Sequence, residues 1–310
     1  MSEAQDILIS VVIATHNAAP GLLSAALESA ARQSVAPLEV IVVDNASIPP
    51  VAVHDDQSHR VRVVREAKLG VIHARCTGIR CASGNWIVFV DDDNQIASDY
   101  LEQAAQIVRA HPEIGAFSGM SMPKFDGPVA KWKRRLLPYL GVHDHGPQPI
   151  TSNSGDWGEG DPIGAGMVFR KDVGMRFVEM VENDSATLQL GRAGTGLMSG
   201  EDTLIARVAW MMHYACSYQP ALHLTHAMRP GRMKLPVLVR TLLGHGRSYI
   251  VLQRILGRPP GRIAWYTPLS LFSSYIFRVR TEGVRAGSVV WFWDLGRVLQ
   301  LLEEPRRSGD

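Results

Sequence analysis

Three short apolar runs of the chain each end in side chains that suit cation or nucleotide binding. Thr15–Asn17 follows the first run, Asp44–Ser47 the second and Asp91–Asp93 the third. Residues of these types are common in turns for local reasons, so an ordinary turn is the favoured explanation of Asp44 taken alone. Three adjacent carboxylates are different, because their mutual repulsion costs free energy unless a cation offsets it. The triple carboxylate therefore favours a site for a hard divalent cation such as Mg²⁺ or Mn²⁺.

A cation of this kind is usually shared between one or two carboxylates and the phosphates of a substrate, so a nucleoside diphosphate is the implied ligand. The common phosphate-binding loops are missing: neither G-x-x-x-x-G-K-[ST] nor G-x-G-x-x-G occurs in the chain. This excludes a P-loop nucleotidase and weakens the case for a dinucleotide-dependent dehydrogenase. Basic side chains such as Arg75 would then hold the phosphates together with the metal.

The elements that must position these side chains alternate between strand and helix. Continuous apolar runs, typical of strands covered on both faces, occupy Ile7–Ile13, Leu38–Val43 and Trp86–Val90. Helical periodicity over residues 20–32 and 70–82 separates them, and Ile163–Arg170 further along the chain again has the character of a strand. This alternation predicts an α/β fold with a parallel sheet between helices. Ligands bind at the carboxyl ends of the strands in such sheets, so the three polar segments should meet at one edge.

The segments SVVIATHN, VIVVDNAS and LGVIHARCTGIRCASGNWIVFVDDDN, in that order, resemble family 2 glycosyltransferases of the GT-A fold. The resemblance continues through IGAGMVFRK, GEDTLIARV and YQPALHLTHAMRPGR and covers about Ile7 to Arg232. It implies a mostly parallel, Rossmann-like central sheet flanked by helices, with a C-terminal helical extension. We expect a catalytic domain over 1–234, with a nucleotide-sugar half to about 119 and an acceptor half over about 120–234, and a helical region over 235–310.

The resemblance implies roles for residues that match the family's donor and metal motifs. Six residues are expected to bind the nucleotide-sugar: Thr15, Asn17, Asp44, Arg75, Asp91 and Asp92. The D-x-D motif would supply the metal ligands, with Asp93 the main one, Asp91 shared with the ribose and His226 close to the diphosphate. The implied cofactor is Mn²⁺ or Mg²⁺. The family's A-R-N-x-G region reads A-R-C-T-G here, so the role of its Asn is in doubt at Cys76.

Glu201 and Asp202 match the family's E-D motif, whose aspartate is the catalytic base, and Gly164, Ala165 and Gly166 would lie under the donor sugar and acceptor. Acidic residues are common in the first turn of any helix, so this pair gains its meaning from the motifs upstream. A nucleoside diphosphate leaves well, so one base that reaches the acceptor hydroxyl is sufficient. Direct displacement through an oxocarbenium-like state inverts the anomeric carbon and gives a β-linkage from an α-linked donor.

We therefore expect an inverting, metal-dependent glycosyltransferase that moves a sugar from a UDP-sugar to an acceptor hydroxyl of a cell-surface polysaccharide or glycolipid. A sugar-nucleotide pyrophosphorylase is one alternative, although its Gly-rich basic signature after the first strand is replaced here by ATHNAAPG. A non-catalytic nucleotide-sugar-binding module is another, and the intact Asp91, Asp93 and Asp202 argue against it.

The composition of the chain limits which binding partners and which cellular compartment we expect. The chain has 310 residues, with 32 Lys and Arg against 30 Asp and Glu, and its formal charge of +2 is unlike that of a dedicated nucleic-acid binder. Three cysteines without a C-x-x-C pair favour a reducing compartment. The N-terminal segment lacks the pattern of a signal peptide, and no apolar stretch approaches the roughly 20 residues of a membrane span. We expect a cytoplasmic protein.

The C-terminal region concentrates aromatic, aliphatic and basic side chains. Its large apolar residues are Trp265, Tyr266, Leu269, Leu271, Phe272, Tyr275, Ile276, Phe277, Trp291, Phe292 and Trp293. The flanking arginines are Arg278, Arg280, Arg285 and Arg297. Such helices either lie peripherally on the inner face of the plasma membrane or pack on the core or on a second subunit, and packing is favoured. The tract Lys131–Arg135 is open to three interpretations: a solvated face, contact with an acidic acceptor, or contact with membrane headgroups.

Overall fold

The computed structural model describes residues 6–19, 21–52, 60–192, 194, 196, 198–258 and 267–303. Its strands are β1 Ile9–Thr15, β2 Glu39–Asn45, β3 Val61–Glu66, β4 Trp86–Asp91, β5 Asn94–Ile96, β6 Ile114–Phe125, β7 Ile150–Ser152, β8 Val168–Arg170 and β9 Ala215–Met228. Its α-helices are α1 Leu22–Ala31, α2 Val71–Cys81, α3 Tyr100–Ala110, α4 Lys131–Arg134, α5 Lys171–Asn183, α6 Glu201–Met211, α7 Leu235–Ile255, α8 Thr267–Glu282 and α9 Val284–Glu303. Short 3₁₀ turns occupy Leu137–Leu140, Ser185–Leu190 and Pro230–Met233.

The strands of the described residues form one sheet in the order β3-β2-β1-β4-β8-β6-β9-β5, with β7 paired to β9. β3, β2, β1 and β4 are parallel neighbours, whereas β8 runs antiparallel to β4 and β6, and β5 and β7 run antiparallel to β9. The predicted α/β fold, with helices flanking a central sheet and further helices at the C-terminus, is confirmed. The sheet is mixed rather than mostly parallel, because the antiparallel pairs of β8, β5 and β7 extend the parallel part that β3, β2, β1 and β4 form.

The core lies on both faces of the central strands β1 and β4. Val11 and Val88 are buried on one face and Val12 and Phe89 on the other, which is why these strands appear in the sequence as nearly continuous apolar runs. α2 packs on β1 and β2. Gly78 permits that approach, because a Cβ there would lie 2.3 Å from Cγ1 of Val12. The three polar strand ends are therefore held by a well-packed layer.

Three elements differ from the sequence predictions. β6 and β9 are 12 and 14 residues long and lie in regions for which no strand was predicted. Residues 163–167 of the predicted strand Ile163–Arg170 form a turn, and only Val168–Arg170 pairs in the sheet. Gly166 has a φ of +72°, a left-handed conformation that no strand residue adopts. The glycines that were predicted to lie in the strand thus form the turn that precedes it.

The chain forms two compact units. Unit 1 comprises residues 1–124, 141–183 and 201–228, and contains the sheet. Unit 2 comprises residues 125–140, 184–200 and 229–310, and contains α4, α7, α8 and α9. Two segments that the sequence assigned to the acceptor half therefore cluster with the C-terminal helices.

The helices of unit 2 pack on one another, with α9 against both α7 and α8. Nε1 of Trp291 donates to the Leu271 carbonyl at 2.9 Å, and Nε of Arg278 donates to Oδ2 of Asp294 at 3.1 Å. Among the helices of the described residues, none combines the length and the apolar character that a bilayer span requires. Trp265 and Tyr266 lie outside the described residues.

Candidate active site

The carboxyl ends of β1, β2 and β4 meet at one edge of the sheet. In register, Thr15 is opposite Asp44, and Ala14 is opposite Asp91. Oγ1 of Thr15 donates a hydrogen bond of 2.7 Å to Oδ2 of Asp92. The structure therefore brings together the three polar segments that the sequence placed after separate strands.

Asp44 is buried and bonded to the loop that follows β2 and to Arg65 of β3. Its Oδ1 accepts from the Ser47 amide at 3.0 Å, its Oδ2 accepts from the Val51 amide at 3.1 Å, and Arg65 forms an ion pair with it. Burial alone would raise the pKa of this carboxyl, but the hydrogen bonds from Ser47, Val51 and Arg65 outweigh burial and lower it. Asp44 thus holds the turn after β2, and its role in base binding stays a prediction.

Asn17 joins the loop after β1 to the loop after β2. Its backbone is left-handed, with a φ of +47°, a conformation that Asn tolerates better than most residues. Its amide donates to Oγ of Ser47 at 3.1 Å, and its Oδ1 accepts from the Ile48 amide at 2.9 Å. The two loops that would face a nucleotide base therefore form one hydrogen-bonded unit.

Arg75, on α2, is buried between the D-x-D and E-D segments. Its Nη1 donates to Oε1 of Glu201 at 2.9 Å and its Nη2 donates to Oδ1 of Asp91 at 3.2 Å. Its guanidinium also lies 4.8 Å from the ring centroid of Phe89. Burial would lower the pKa of Arg75, but the carboxylates of Glu201, Asp91 and Asp202 outweigh burial and raise it. Arg75 is thus a charged bridge between β4 and α6, with its charge already balanced by carboxylates.

Asp202 lies in the first turn of α6, and backbone amides orient both of its carboxylate oxygens. The amide of Gly164 donates to Oδ2 at 3.0 Å, and the amide of Thr203 donates to Oδ1 at 2.7 Å. A side chain at 164 would displace the guanidinium of Arg75, because a Cβ there would lie 2.6 Å from its Nη2. The turn at Gly164 and the first turn of α6 together thus fix the orientation of this carboxylate.

Buried side chains pack closely against the turn Gly164–Gly166. Oη of Tyr100 donates to the Gly166 carbonyl at 2.5 Å, and a Cβ at 166 would lie 2.5 Å from Cδ2 of Leu224. Ala165 between the two glycines is buried. The segment predicted to lie under the donor sugar and acceptor is therefore a tightly packed backbone turn that contacts Asp202 directly.

Asp93 and His226 lie side by side where β5 pairs with β9, and both are buried. Oδ1 of Asp93 is 3.6 Å from Nε2 of His226. Asp91, the third predicted metal ligand, is instead bonded to Arg75. Within the described residues no group of three His, Cys, Asp or Glu side chains could hold a metal ion. One carboxylate and one imidazole suit a cation that takes its remaining ligands from a diphosphate and water, and do not suit a closed metal site.

The sequence reasoning missed two neighbouring histidines, His143 and His145. His143 is only 8% exposed, its ring is 5.0 Å from that of His145, and His145 in turn packs against Tyr218 at 5.0 Å. Burial and the neighbouring His145 lower the pKa of His143 to about 4 against the opposing charge of Asp202, so its imidazole is neutral at pH 7. Nδ1 of His143 and Nε2 of His145 are buried without a hydrogen-bond partner among the described residues. The motif GVHDHG was the available signal.

A buried ion pair, also missed, anchors the loop that precedes Gly164. Arg207 of α6 pairs with Asp161, and its Nη1 donates to the carbonyls of Ser154 at 2.8 Å and Asp156 at 2.6 Å. Both partners of the pair are almost fully buried. An arginine within the apolar helix segment LIARVAWM was the signal that could have revealed it. The pair ties the loop at 154–161 to the helix that carries Asp202.

Comparisons with known proteins agree on one family. The family model described as glycosyl transferase family 2 matches residues 10–176, which is more than half of the chain. The uncharacterized glycosyltransferase YwdF of Bacillus subtilis is 32% identical over 144 residues, which cover 44% of this chain and 52% of that protein. The succinoglycan biosynthesis protein ExoO of Rhizobium meliloti is 25% identical over 236 residues, which cover 72% of this chain and 61% of that protein.

The matches cover only part of these relatives. An uncharacterized glycosyltransferase of Haemophilus influenzae is 32% identical over 108 residues, 34% of this chain and 36% of that protein. The chain thus spans between about a third and three fifths of the relatives named here. Among solved structures, that of S. aureus TarS 1-349 aligns over 94% of this chain and 92% of that chain, with 14% identity and a TM-score of 0.48.

Proposed function

Because the chain belongs to glycosyl transferase family 2, we propose that unit 1 moves a sugar from a UDP-sugar to an acceptor hydroxyl of a cell-surface polysaccharide or glycolipid. One contact supports this above all. Arg75 joins Asp91, at the end of β4, to Glu201, at the start of α6, and so connects the donor motif to the motif that carries the base. The relative ExoO is a succinoglycan biosynthesis protein, which supports a polysaccharide product.

Asp202 is the proposed general base. The acceptor oxygen forms a bond to the anomeric carbon while the bond from that carbon to the diphosphate oxygen breaks, and the acceptor proton passes to Asp202. The nucleoside diphosphate leaves with the electron pair of the broken bond. A single displacement of this kind inverts the anomeric carbon. The amides of Gly164 and Thr203 orient the carboxylate for this transfer, and a positioned base contributes about 10²–10⁴ in rate.

The loops after β1 and β2 are the proposed nucleotide site. Thr15 and Asn17 line it, and Asp44, Asp91 and Asp92 supply acceptors for the base and ribose hydroxyls. Asp44 shapes the loop while its carboxylate stays ionised, since its hydrogen bonds lower its pKa. Arg75 positions Asp91 and Glu201, because its own charge is balanced by both.

Asp93 and His226 are the proposed holders of Mn²⁺ or Mg²⁺, on the ground that an oxygen and a nitrogen donor lie 3.6 Å apart in a buried position. Such a cation, when bound, acts as a Lewis acid that stabilises the charge developing on the diphosphate. His226 also approaches the Gly141 carbonyl, with its Nδ1 at 3.5 Å, a contact that orients the ring.

The experiment that tests the reaction is a nucleotide-release assay across several UDP-sugars, with Mn²⁺ or Mg²⁺ and with or without EDTA. We expect release of UDP that depends on acceptor and is lost with EDTA. Zero release with every donor would contradict a transferase. Formation of UDP-sugar from UTP and a sugar phosphate would instead identify the pyrophosphorylase alternative, and binding of UDP-sugar without turnover would identify the binding module.

We also propose a cytoplasmic location, with the C-terminal helices making a peripheral membrane contact. Cys76, Cys81 and Cys216 are all free. Burial raises the pKa values of Cys76 and Cys216 to about 12, so these thiols are inert packing residues. Unpaired cysteines without a redox or metal role are typical of a reducing compartment.

A further inference from the structure

Unit 2 carries a large positive charge that the whole chain conceals. Its segments contain 19 lysines and arginines against 7 aspartates and glutamates, a net charge of +12. Unit 1 contains 13 basic and 23 acidic residues, a net charge of −10. The total of +2 is therefore an average of two strongly opposed units. The total charge of the chain therefore does not describe the charge that unit 2 presents to a partner.

Helix α8 exposes large apolar side chains on the face that does not contact α9. Leu269, Phe272 and Phe277 are between 60% and 64% exposed, and Val284, just beyond the turn to α9, is 68% exposed. The opposite face of α8 is occupied: Ser274 and Arg278 both bond to Asp294. The exposed apolar residues are thus the outer stripe of a packed amphipathic helix, and not the face of a helix that lacks its intramolecular partner.

Exposed basic side chains lie near the C-terminal end of this stripe. Arg280 follows it on α8, and Arg285 follows Val284 at the start of α9; both are exposed. Nη1 of Arg135 lies 3.9 Å from the position that a Cβ on Gly283 would occupy, which places Arg135 beside the turn between α8 and α9. Lys131 and Arg134, on the adjoining α4, are exposed as well, and α4 contacts α9.

We propose that this surface, named here the α8 face (Leu269, Phe272, Phe277 and Val284 with Lys131, Arg134, Arg135, Arg280 and Arg285), binds peripherally to a bilayer that contains anionic phospholipids. Apolar side chains enter the boundary between headgroups and acyl chains while the neighbouring cations pair with lipid phosphates. The inference rests on unit 2 and is independent of the chemistry of unit 1.

A second copy of the chain and a nucleic acid are less suitable partners for the α8 face than an anionic bilayer. A second copy of the chain would bring one +12 unit against another, so like charges would oppose a symmetric contact through this face. A nucleic acid would satisfy the basic side chains but would leave the phenylalanines and Leu269 without an apolar partner. An anionic bilayer meets both requirements at once.

The test is co-sedimentation of the full chain with vesicles of phosphatidylcholine alone and of phosphatidylcholine with phosphatidylglycerol in a two-to-one ratio. We expect binding to the anionic vesicles, weak binding to the neutral ones, and loss of binding in high salt, because salt screens exposed charges. Leu269→Ser with Phe272→Ser should lower the partition coefficient by about tenfold or more. Arg280→Gln and Arg285→Gln should each lower it by about fivefold.

A matched control replaces exposed apolar residues of unit 1, Val35→Ser with Met211→Ser, which are 47% and 42% exposed. This variant should bind vesicles like the wild type. Thermal melting of each variant separates loss of binding from loss of folding. Equal binding to both kinds of vesicle, or unchanged binding by the serine variants of α8, would overturn the proposal. So would a dimer in solution that those variants convert to a monomer, or binding to duplex DNA that they leave intact while anionic vesicles fail to bind.

Discussion

Units 1 and 2 differ in where their key charged side chains lie and in whether these are paired. In unit 1 the key charges are buried and paired: Arg75 bridges Asp91 and Glu201, and Arg207 pairs with Asp161 inside the fold. In unit 2 the charges of the α8 face are exposed and of one sign. Removal of one partner from a buried pair leaves an uncompensated charge and is costly, whereas a single exposed charge contributes little and is screened by salt. Substitutions in unit 1 should therefore have large, specific effects, and those in unit 2 small, cumulative ones.

The largest effect should come from Asp202→Asn, which separates the chemistry of unit 1 from the surface of unit 2. We expect UDP release in the presence of acceptor to fall by about 10²–10⁴, because the amide cannot accept the proton. UDP binding, measured by calorimetry, and vesicle binding should both persist. Asp172→Asn is the matched control, since Asp172 lies in the first turn of α5 and accepts from the Val173 amide at 2.8 Å. Retained transfer in Asp202→Asn would show that another group is the base.

Arg207→Met tests whether buried charge pairing holds unit 1 together. The free energy of unfolding should fall by about 3–5 kcal/mol, because Asp161 is left buried without its partner. Urea denaturation measures the change. Adding Asp161→Leu should restore part of the loss. Arg176→Met, which breaks the exposed pair of Arg176 with Glu179, should change stability by less than about 1 kcal/mol. Equal losses in the two single variants would remove the distinction between buried and exposed charge.

His143 should make the stability of unit 1 depend on pH. Its pKa is lowered from 6.5 to about 4 in the folded state, so the unfolded chain binds the proton more readily between these values. The free energy of unfolding should therefore decrease as pH falls from about 6.5 to about 4, by up to about 3 kcal/mol from this group. His143→Gln should remove that component from the pH profile, while His111→Gln, at an exposed position, should keep it. Superimposable profiles for wild type and His143→Gln would contradict the prediction.

The smallest effect expected in unit 1 comes from His226→Gln. The concentration of Mn²⁺ needed for half-maximal activity should rise by about 10-fold to 100-fold, because a nitrogen ligand beside Asp93 is lost. His111→Gln again serves as the control, since His111 and Glu113 form an exposed histidine–carboxylate pair at 3.2 Å. An unchanged Mn²⁺ requirement in His226→Gln would remove His226 from the proposed cation site.

Local pattern was sufficient for the parallel part of the fold and failed for the antiparallel part. β1, β2 and β4 were predicted because strands that are covered on both faces appear in the sequence as nearly continuous apolar runs. β9 was missed because its outer residues alternate between buried and exposed after a buried start, a pattern interrupted by polar residues and by Pro220. The turn at Gly164–Gly166 was taken for part of a strand, since a positive φ at Gly166 leaves no trace in hydrophobic periodicity.

The candidate site also has one part that the sequence predicted and another that it did not. The strand-end residues followed from topology, and Glu201 and Asp202 from motif resemblance. The bridge through Arg75 joins residues 126 positions apart in sequence, and the amide of Gly164 reaches Asp202 across 38 positions. His143 and Arg207 had local signals, but those signals did not say what the side chains would contact.

The sequence by itself determined the α/β class, the order of the polar strand ends and the family, because strand burial and motif spacing are local properties of the chain. Only the tertiary structure decided that Arg75 is balanced by two carboxylates, that Asp93 has His226 beside it, and that a nearly neutral chain separates into units of −10 and +12. Those features depend on which distant segments fold together, and segments 125–140 and 184–200 join the C-terminal helices only through three-dimensional packing.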